Sequence, residues 1–214
     1  MTRRLVHTAA LAALAALVAA GCAPSQDTEV SLAGAWPSEP GDYDDVTERW
    51  TRFERVRGDI DQHLTEIFRV HATLLSPEWR AAYVEKRAED EKLSPARREA
   101  LAASQRARHD EYYEVVLIVG AYERRLIDFH RGDDSVWRVT LVGDGGEEID
   151  ATEIERDRRL RSVIAAFFPF LGDFDEAYLA RFPRDVELFG PHADTIKLVL
   201  ASPLATVALS WEAP

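Results

Sequence analysis

Phe68-Arg69-Val70-His71-Ala72-Thr73-Leu74-Leu75-Ser76-Pro77-Glu78-Trp79 decides how the chain is built. Phe68, Val70, Ala72 and Leu74 alternate with Arg69, His71 and Thr73. That period of two marks a strand buried on one face. At Ser76 the pattern changes: a capping serine, a proline suited to the first helical turn and an acid behind it open a helix. Trp79 and Tyr83 then share one helical face. Leu93-Ser94-Pro95 repeats the start signal, so a second helix runs towards Arg108. Between Ala96 and Asp110 the main large apolar residue is Leu101, which makes this helical pair a cover over something else.

Outward from this junction the pattern is mostly β. Between Trp50 and Leu64 the charges permit a helix, while the alternation behind it favours strands, with Arg57-Gly58-Asp59 as the turn between them. Val115 to Val119 is a short apolar run. Val136, Arg138 and Thr140 alternate with Trp137, Val139 and Leu141, and Gly143-Asp144-Gly145-Gly146 then turns the chain so that Glu147 to Glu155 returns antiparallel. Leu160 to Phe168 suits one short helix before Pro169. Tyr178, Ala180 and Phe182, then Ile196, Leu198 and Leu200, then Val207, Leu209 and Trp211 supply three further strands. Short strands between turn signals predict a mainly β fold, an immunoglobulin-like antiparallel β-sandwich with a helical pair inserted between strands at about 76–111.

The N-terminus carries a different signal. Arg3 and Arg4 precede sixteen largely apolar residues from Leu5 to Ala20, and Ala19-Ala20-Gly21 lead into Cys22, the only cysteine among 214 residues. Positive, apolar and small-residue regions in this order make a secretory signal. The run is shorter than the roughly 20 apolar residues of a membrane span. Ending on Gly-Cys, it resembles a bacterial lipoprotein signal, with Ala19 where leucine is commonest. The resemblance implies cleavage before Cys22, acylation of Cys22 and a domain held in the periplasm. Ala23 in place of the aspartate of the enterobacterial sorting rule favours the outer membrane. Three parts follow: a signal peptide at 1–21, a lipidated tether at 22–45 rich in Pro, Gly, Ser and Asp, and one globular domain at 46–214. Trp36 is the tether residue suited to docking onto the folded body.

Composition narrows the chemistry. A net charge of −12 argues against a nucleic-acid partner. His63, His71, His109, His130 and His192 are scattered without the spacing of a metal pair, and His109-Asp110-Glu111 is the closest cluster. No G-x-S-x-G elbow or S-x-x-K nucleophile occurs, and carboxylate pairs such as Glu147 and Glu148 are too common in so acidic a chain to mark a site. The glycines at 143–146 lack the lysine of a P-loop. Catalytic, cofactor and metal residues are accordingly assigned to none. Arg156, Arg158, Arg159 and Arg161 form the only dense basic run; they suit either a phosphate or carboxylate, or a surface salt-bridged with Glu153, Glu155 and Asp157. Arg57-Gly58-Asp59 and Arg131-Gly132-Asp133 read as turns.

Ala72-Thr73-Leu74-Leu75-Ser76-Pro77-Glu78-Trp79-Arg80-Ala81-Ala82-Tyr83, Ser135-Val136-Trp137-Arg138-Val139 and Phe167-Phe168-Pro169-Phe170 resemble uncharacterised bacterial lipoproteins over most of residues 47–212. These motifs are structural, and the resemblance brings no activity or cofactor. Three expectations follow. One is a non-catalytic, lipid-anchored binding or scaffolding module, with the membrane and another envelope protein as partners. A second is a carrier of an apolar ligand in a cavity between sheet and helices, lined by Trp79, Tyr83, Phe167, Phe168 and Phe170. The third is an envelope hydrolase.

Overall fold

The computed structural model describes residues 29–60, 63–203 and 205–214. The expected signal peptide and Cys22 lie outside the described residues. The backbone is mixed α/β. A five-stranded antiparallel sheet has the order β1 (Thr51–Ile60), β2 (His63–Leu74), β3 (Tyr112–Ala121), β7 (Glu176–Pro183), β6 (Glu153–Arg156). A four-stranded antiparallel sheet has the order β5 (Glu148–Asp150), β4 (Arg138–Val142), β8 (Thr195–Ala201), β9 (Thr206–Glu212). Helices α1 (Tyr43–Trp50), α2 (Pro77–Asp90), α3 (Pro95–Glu111) and α4 (Arg161–Phe167) complete the set with two short 3₁₀ segments.

Each sheet turns one face to a shared core. Phe68, Val70, Ala72 and Leu74 of β2 are buried, and so are Val139 and Leu141 of β4, Ile196, Leu198 and Leu200 of β8, and Val207, Leu209 and Trp211 of β9. These are the alternating residues of the sequence, because side chains of a strand point to opposite faces in turn. The sheets also approach each other at both margins. Between the α1–β1 junction and β9, the Arg52 Nε donates to the Ser210 carbonyl at 2.6 Å and the Trp211 indole to the Trp50 carbonyl at 2.9 Å. At the opposite margin Ala151 N–H donates to Val139 of one sheet and Thr152 N–H to Arg181 of the other, both at 2.9 Å.

β3 is buried from Tyr113 to Gly120, on both faces. Its odd-numbered residues face the core; its even-numbered face carries Glu114 and Val116, and α2, α3 and the segment around α4 cover it. A strand covered twice reads as a continuous apolar run. α2 and α3 lie in the chain between the paired strands β2 and β3. Ser76 and Ser94 cap them, accepting from Trp79 N–H at 3.1 Å and Arg97 N–H at 3.4 Å, and each helix has proline in its first turn. α3 buries only Gln105 and His109.

Three expectations are corrected. Residues 29–45 are not a loose tether: Val30, Leu32 and Tyr43 are at most 5% exposed, and Tyr43 already belongs to α1. Val30 N–H donates to Glu212 and Gly190 N–H to Leu32, at 2.9 and 2.8 Å, so this segment straps the end of the four-stranded sheet. Proline and glycine here shape the strap's path. Gly34, at φ +73°, lies against Phe189 so closely that a Cβ would stand 2.8 Å from the ring's own Cβ. Trp36 docks edge-on to His109, with ring centroids 5.9 Å apart. Second, Arg57-Gly58-Asp59 lies within β1, opposite Glu66, Thr65 and Leu64, because the hairpin extends beyond it; Arg131-Gly132-Asp133 does turn, with Gly132 at φ +57°. Third, Glu147 to Glu155 is not one returning strand. It crosses at Ala151-Thr152, giving β5 to one sheet and β6 to the other.

Candidate functional site

Glu114 sits at the bottom of the site because β3, β7 and β6 align it in a cross-strand row. It is paired in register with Arg181, which is paired in turn with Glu153. Opposite residues on antiparallel strands bring their side chains within contact, so this row alternates charge. The Glu114 carboxylate is 1% exposed and meets three guanidiniums: Arg80 at 2.8 Å, Arg108 at 2.6 Å and Arg181 at 3.1 Å. Arg80 is itself fully buried, and its remaining donors reach the Leu75 carbonyl at 2.9 Å and the Gln105 amide oxygen at 2.9 Å. Burial alone would raise the Glu114 carboxyl, but Arg80 and Arg108 outweigh it and hold the group below the usual carboxylate range. A carboxylate so held is a weak proton acceptor.

Above this row a cleft of about 440 Å³ opens between α2, α3, the five-stranded sheet and the β6–α4 segment. Its aromatic wall comes from two elements. Trp79 and Tyr83 are one turn apart on α2 and stack with centroids 5.1 Å apart; Phe168 stacks on Trp79 at 6.0 Å and Phe167 meets Tyr83 at 5.3 Å. Trp79, Phe167 and Phe168 are buried, whereas Tyr83 is half-buried. The helix period brings the first pair together; Tyr43 fixes the second by donating to the Phe167 carbonyl at 2.9 Å.

The other wall is cationic. Arg87, Arg108, Arg156, Arg158, Arg159 and Arg181 line the cleft against Glu114, Glu155 and Asp157. Arg159 forks onto Asp157, with two bonds at 3.0 and 2.6 Å. Burial would raise Asp157, but the Arg159 hydrogen bonds overcome it and lower the carboxyl. Arg156 pairs with Glu176, Arg87 with Glu91 at 2.6 Å, and Arg181 with Glu153. Arg158 is exposed and forms no hydrogen bond or ion pair among the described residues. Arg156 and Arg159 of the basic run are therefore salt-bridged, and both edge the cleft together with Arg158. Arg161 turns away from it and donates to the Asp175 carbonyl at 3.0 Å.

Four of the five aromatics expected around a cavity are brought together here. The fifth, Phe170, stacks on His71 at 4.6 Å on the outer face of β2, with Phe53 against the other side of that imidazole at 4.3 Å. Burial lowers the His71 pKa to about 4. His109 is likewise neutral: burial, then Arg184 and Arg80, lower it to about 4. No group of three His, Cys, Asp or Glu gathers as metal ligands among the described residues. None of the described helices is long and apolar enough to cross a membrane. Arg87 and Arg108, on the helices, and Arg181, on β7, were not singled out by sequence reasoning. Their neighbours along the chain give no clue, and only the register of β3, β7 and β6 and the packing of α2 and α3 collect them.

No protein family, curated protein or solved structure matches this chain. The functional reading therefore rests on the chemistry of the cleft and of the N-terminal signal.

Proposed function

We propose that this chain is a non-catalytic bacterial envelope lipoprotein, anchored through acylated Cys22, that binds a small ligand in the cleft between helices and sheet. The observation that carries the reading is the cleft itself, in which an aromatic wall faces a guanidinium wall. Its volume suits a small molecule. Against the hydrolase reading stands the state of the cleft's acids. Glu114 and Asp157 are ion-paired and lowered, whereas a general acid needs a raised carboxyl. The expected apolar carrier is thereby modified, since half of the wall is charged.

In architecture we read two sheets around one core, with α2 and α3 as an insertion. The two-layer arrangement is immunoglobulin-like, although β1, β2 and β3 share one sheet, where the immunoglobulin order sends the third strand across. The early start of the folded body also bears on anchoring. Only seven residues separate Cys22 from Val30, and a coil of that length spans roughly 15 Å. The domain is then held against the lipid headgroups of its own membrane, with the outer membrane favoured by Ala23.

Scaffolding of another envelope protein is the second reading. Leu160 and Phe174, exposed at 75% and 76%, favour it; their neighbours Arg161 and Asp175 are hydrogen-bonded, so the two apolar side chains project from adjoining loops. Native mass spectrometry of the full-length protein, gently extracted from membranes, tests both. A retained stoichiometric small molecule supports the ligand-binding reading, and a stoichiometric protein supports the scaffold. Recovery of the bare lipoprotein overturns both. Cys22→Ala is expected to move the protein to the soluble fraction; unchanged membrane association overturns the anchor.

A further inference from the structure

The cleft's charge is opposite to that of the molecule. A chain of net charge −12 lines this one concavity with six guanidiniums and three carboxylates. Among the described residues, five of the six guanidiniums are held in ion pairs, and the sixth, Arg158, is not. Arg87, from α2, and Arg159, from the β6–α4 segment, both line this cleft. Asp157 engages Arg159 and Glu91 engages Arg87, at 2.6 Å each. Arg158 adds a third cation with its whole fork of donors unused. Beside these groups stands Tyr83, half-buried, with Arg87 donating to its hydroxyl at 3.3 Å and the buried Phe167 ring behind it.

We propose that the cleft binds a small amphiphilic anion, with its carboxylate or phosphate between Arg158 and Arg159 and its apolar body against Tyr83 and Phe167. The proposal rests on the ligand-binding reading above and names the ligand's class. A guanidinium fork matches the paired oxygens of either acid group. The unengaged Arg158 guanidinium, beside Arg159, supplies the charge that an anion meets there. A neutral apolar ligand covers the Arg158 guanidinium without pairing it, which costs binding energy. A divalent cation is repelled. The acid group can come from a soluble molecule or from a lipid headgroup, and the shared chemistry is an anionic head on an apolar body.

The test uses the full-length lipoprotein in phosphatidylcholine nanodiscs, with empty discs as the blank. Calorimetry compares 1-naphthyl phosphate, 1-naphthol and inorganic phosphate. Naphthyl phosphate is expected to bind about tenfold or more tightly than the other two, since each charge-assisted bond contributes roughly 1.5–3 kcal/mol. Arg158→Gln, at an exposed position without partners, is expected to weaken it about tenfold without changing the unfolding temperature. Arg97→Gln, outside the cleft, is expected to leave it unchanged. Doping the discs with phosphatidic acid distinguishes the sources: blocked naphthyl phosphate binding assigns the head to a lipid, and unaffected binding assigns it to a soluble molecule. Equal binding of naphthol, equal binding of inorganic phosphate, or insensitivity to both Arg158→Gln and Arg159→Gln overturns the proposal. If naphthyl phosphate fails while the extracted protein still carries a small molecule, the ligand class is wrong and the ligand-binding reading stands.

Discussion

Glu114 is the residue on which most buried charge depends, and its value lies in being fully engaged. Three arginines converge on it and Arg80 has no exposure at all. Removing one member of such a set leaves an uncompensated buried charge, which is far costlier than the intact set is favourable. Glu114→Ala is therefore expected to destabilise the fold by about 3–5 kcal/mol in urea titration; a loss below about 1 kcal/mol, the range of surface pairs, would mean that the network is solvated. A second residue-scale dependence is Gly120. Its missing side chain leaves room for the Asp175 carboxylate and the Arg69 guanidinium, whose Nε would stand 2.9 Å from an added Cβ. Asp175 is 3% exposed, accepts from Gly172 N–H at 2.9 Å and pairs with Arg69 at 2.7 Å. Gly120→Ala is expected to displace this pair and to lower the unfolding temperature by several degrees, about 2–4 °C for each kcal/mol lost. Arg158 was legible as part of a basic run. The row linking Glu114, Arg181 and Glu153 was not, since it joins positions 39 and 67 residues away in the chain through strand register alone.

Of the four α-helices, α3 alone buries no apolar residue, and polar ties hold it instead. His109 and Gln105 are its buried residues, Arg184 donates to the His109 carbonyl at 2.9 Å, and Arg108 reaches Glu114. Its helical periodicity was readable from Ser94-Pro95, but its contact with the strap through Trp36 and His109 was not. A neutral, buried His109 also links this element to pH. Its folded pKa, about 4, lies below the ordinary 6.5, as does that of His71. Between these values the unfolded chain binds the proton and the folded chain does not, so stability present above about pH 6.5 is lost as pH falls towards 4. The His109 contribution is roughly 3 kcal/mol at full shift. His109→Phe is expected to flatten the stability profile between pH 4 and 6.5 in denaturant titrations; an unchanged slope would show that the imidazole titrates normally. Amide exchange of α3 is expected to be faster than that of β3, whose amides are paired on both sides within a sheet buried on both faces.

For the whole molecule, the decisive boundary is where folding starts. Val30 and Leu32 are buried as thoroughly as the sheet residues, so the strap is part of the domain's stability. Leu32→Ala is expected to cost about 2–5 kcal/mol, the range for a truncated core side chain. Limited proteolysis followed by mass determination is expected to leave residues 30–50 joined to the domain; rapid cleavage there would restore the longer tether. Anchoring through Cys22, as proposed, would keep the domain close to its own bilayer and so limit where the cleft acts. The asymmetry of charge operates at this scale too. An acidic exterior around a cationic recess steers a small anion only at short range, because physiological salt screens charges beyond about 8 Å.

The sequence by itself determined the alternation that builds both sheets, the capped starts of α2 and α3, and the lipoprotein-like signal ending at Cys22. All three are local: side-chain period, proline and serine at a helix start, and a run of small apolar residues are complete within a few turns of chain. Only the tertiary structure decided that residues 29–45 belong to the domain. Pro, Gly and Asp disfavour regular structure wherever they occur, but whether the Val and Leu between them find a buried partner depends on the distant Glu212 and Gly190. The same holds for the cleft. Arginines at 87, 108, 158, 159 and 181 carry no shared pattern until antiparallel register and helix packing set them around one space. Charge acts through space, and the chain order does not record the distances over which it acts.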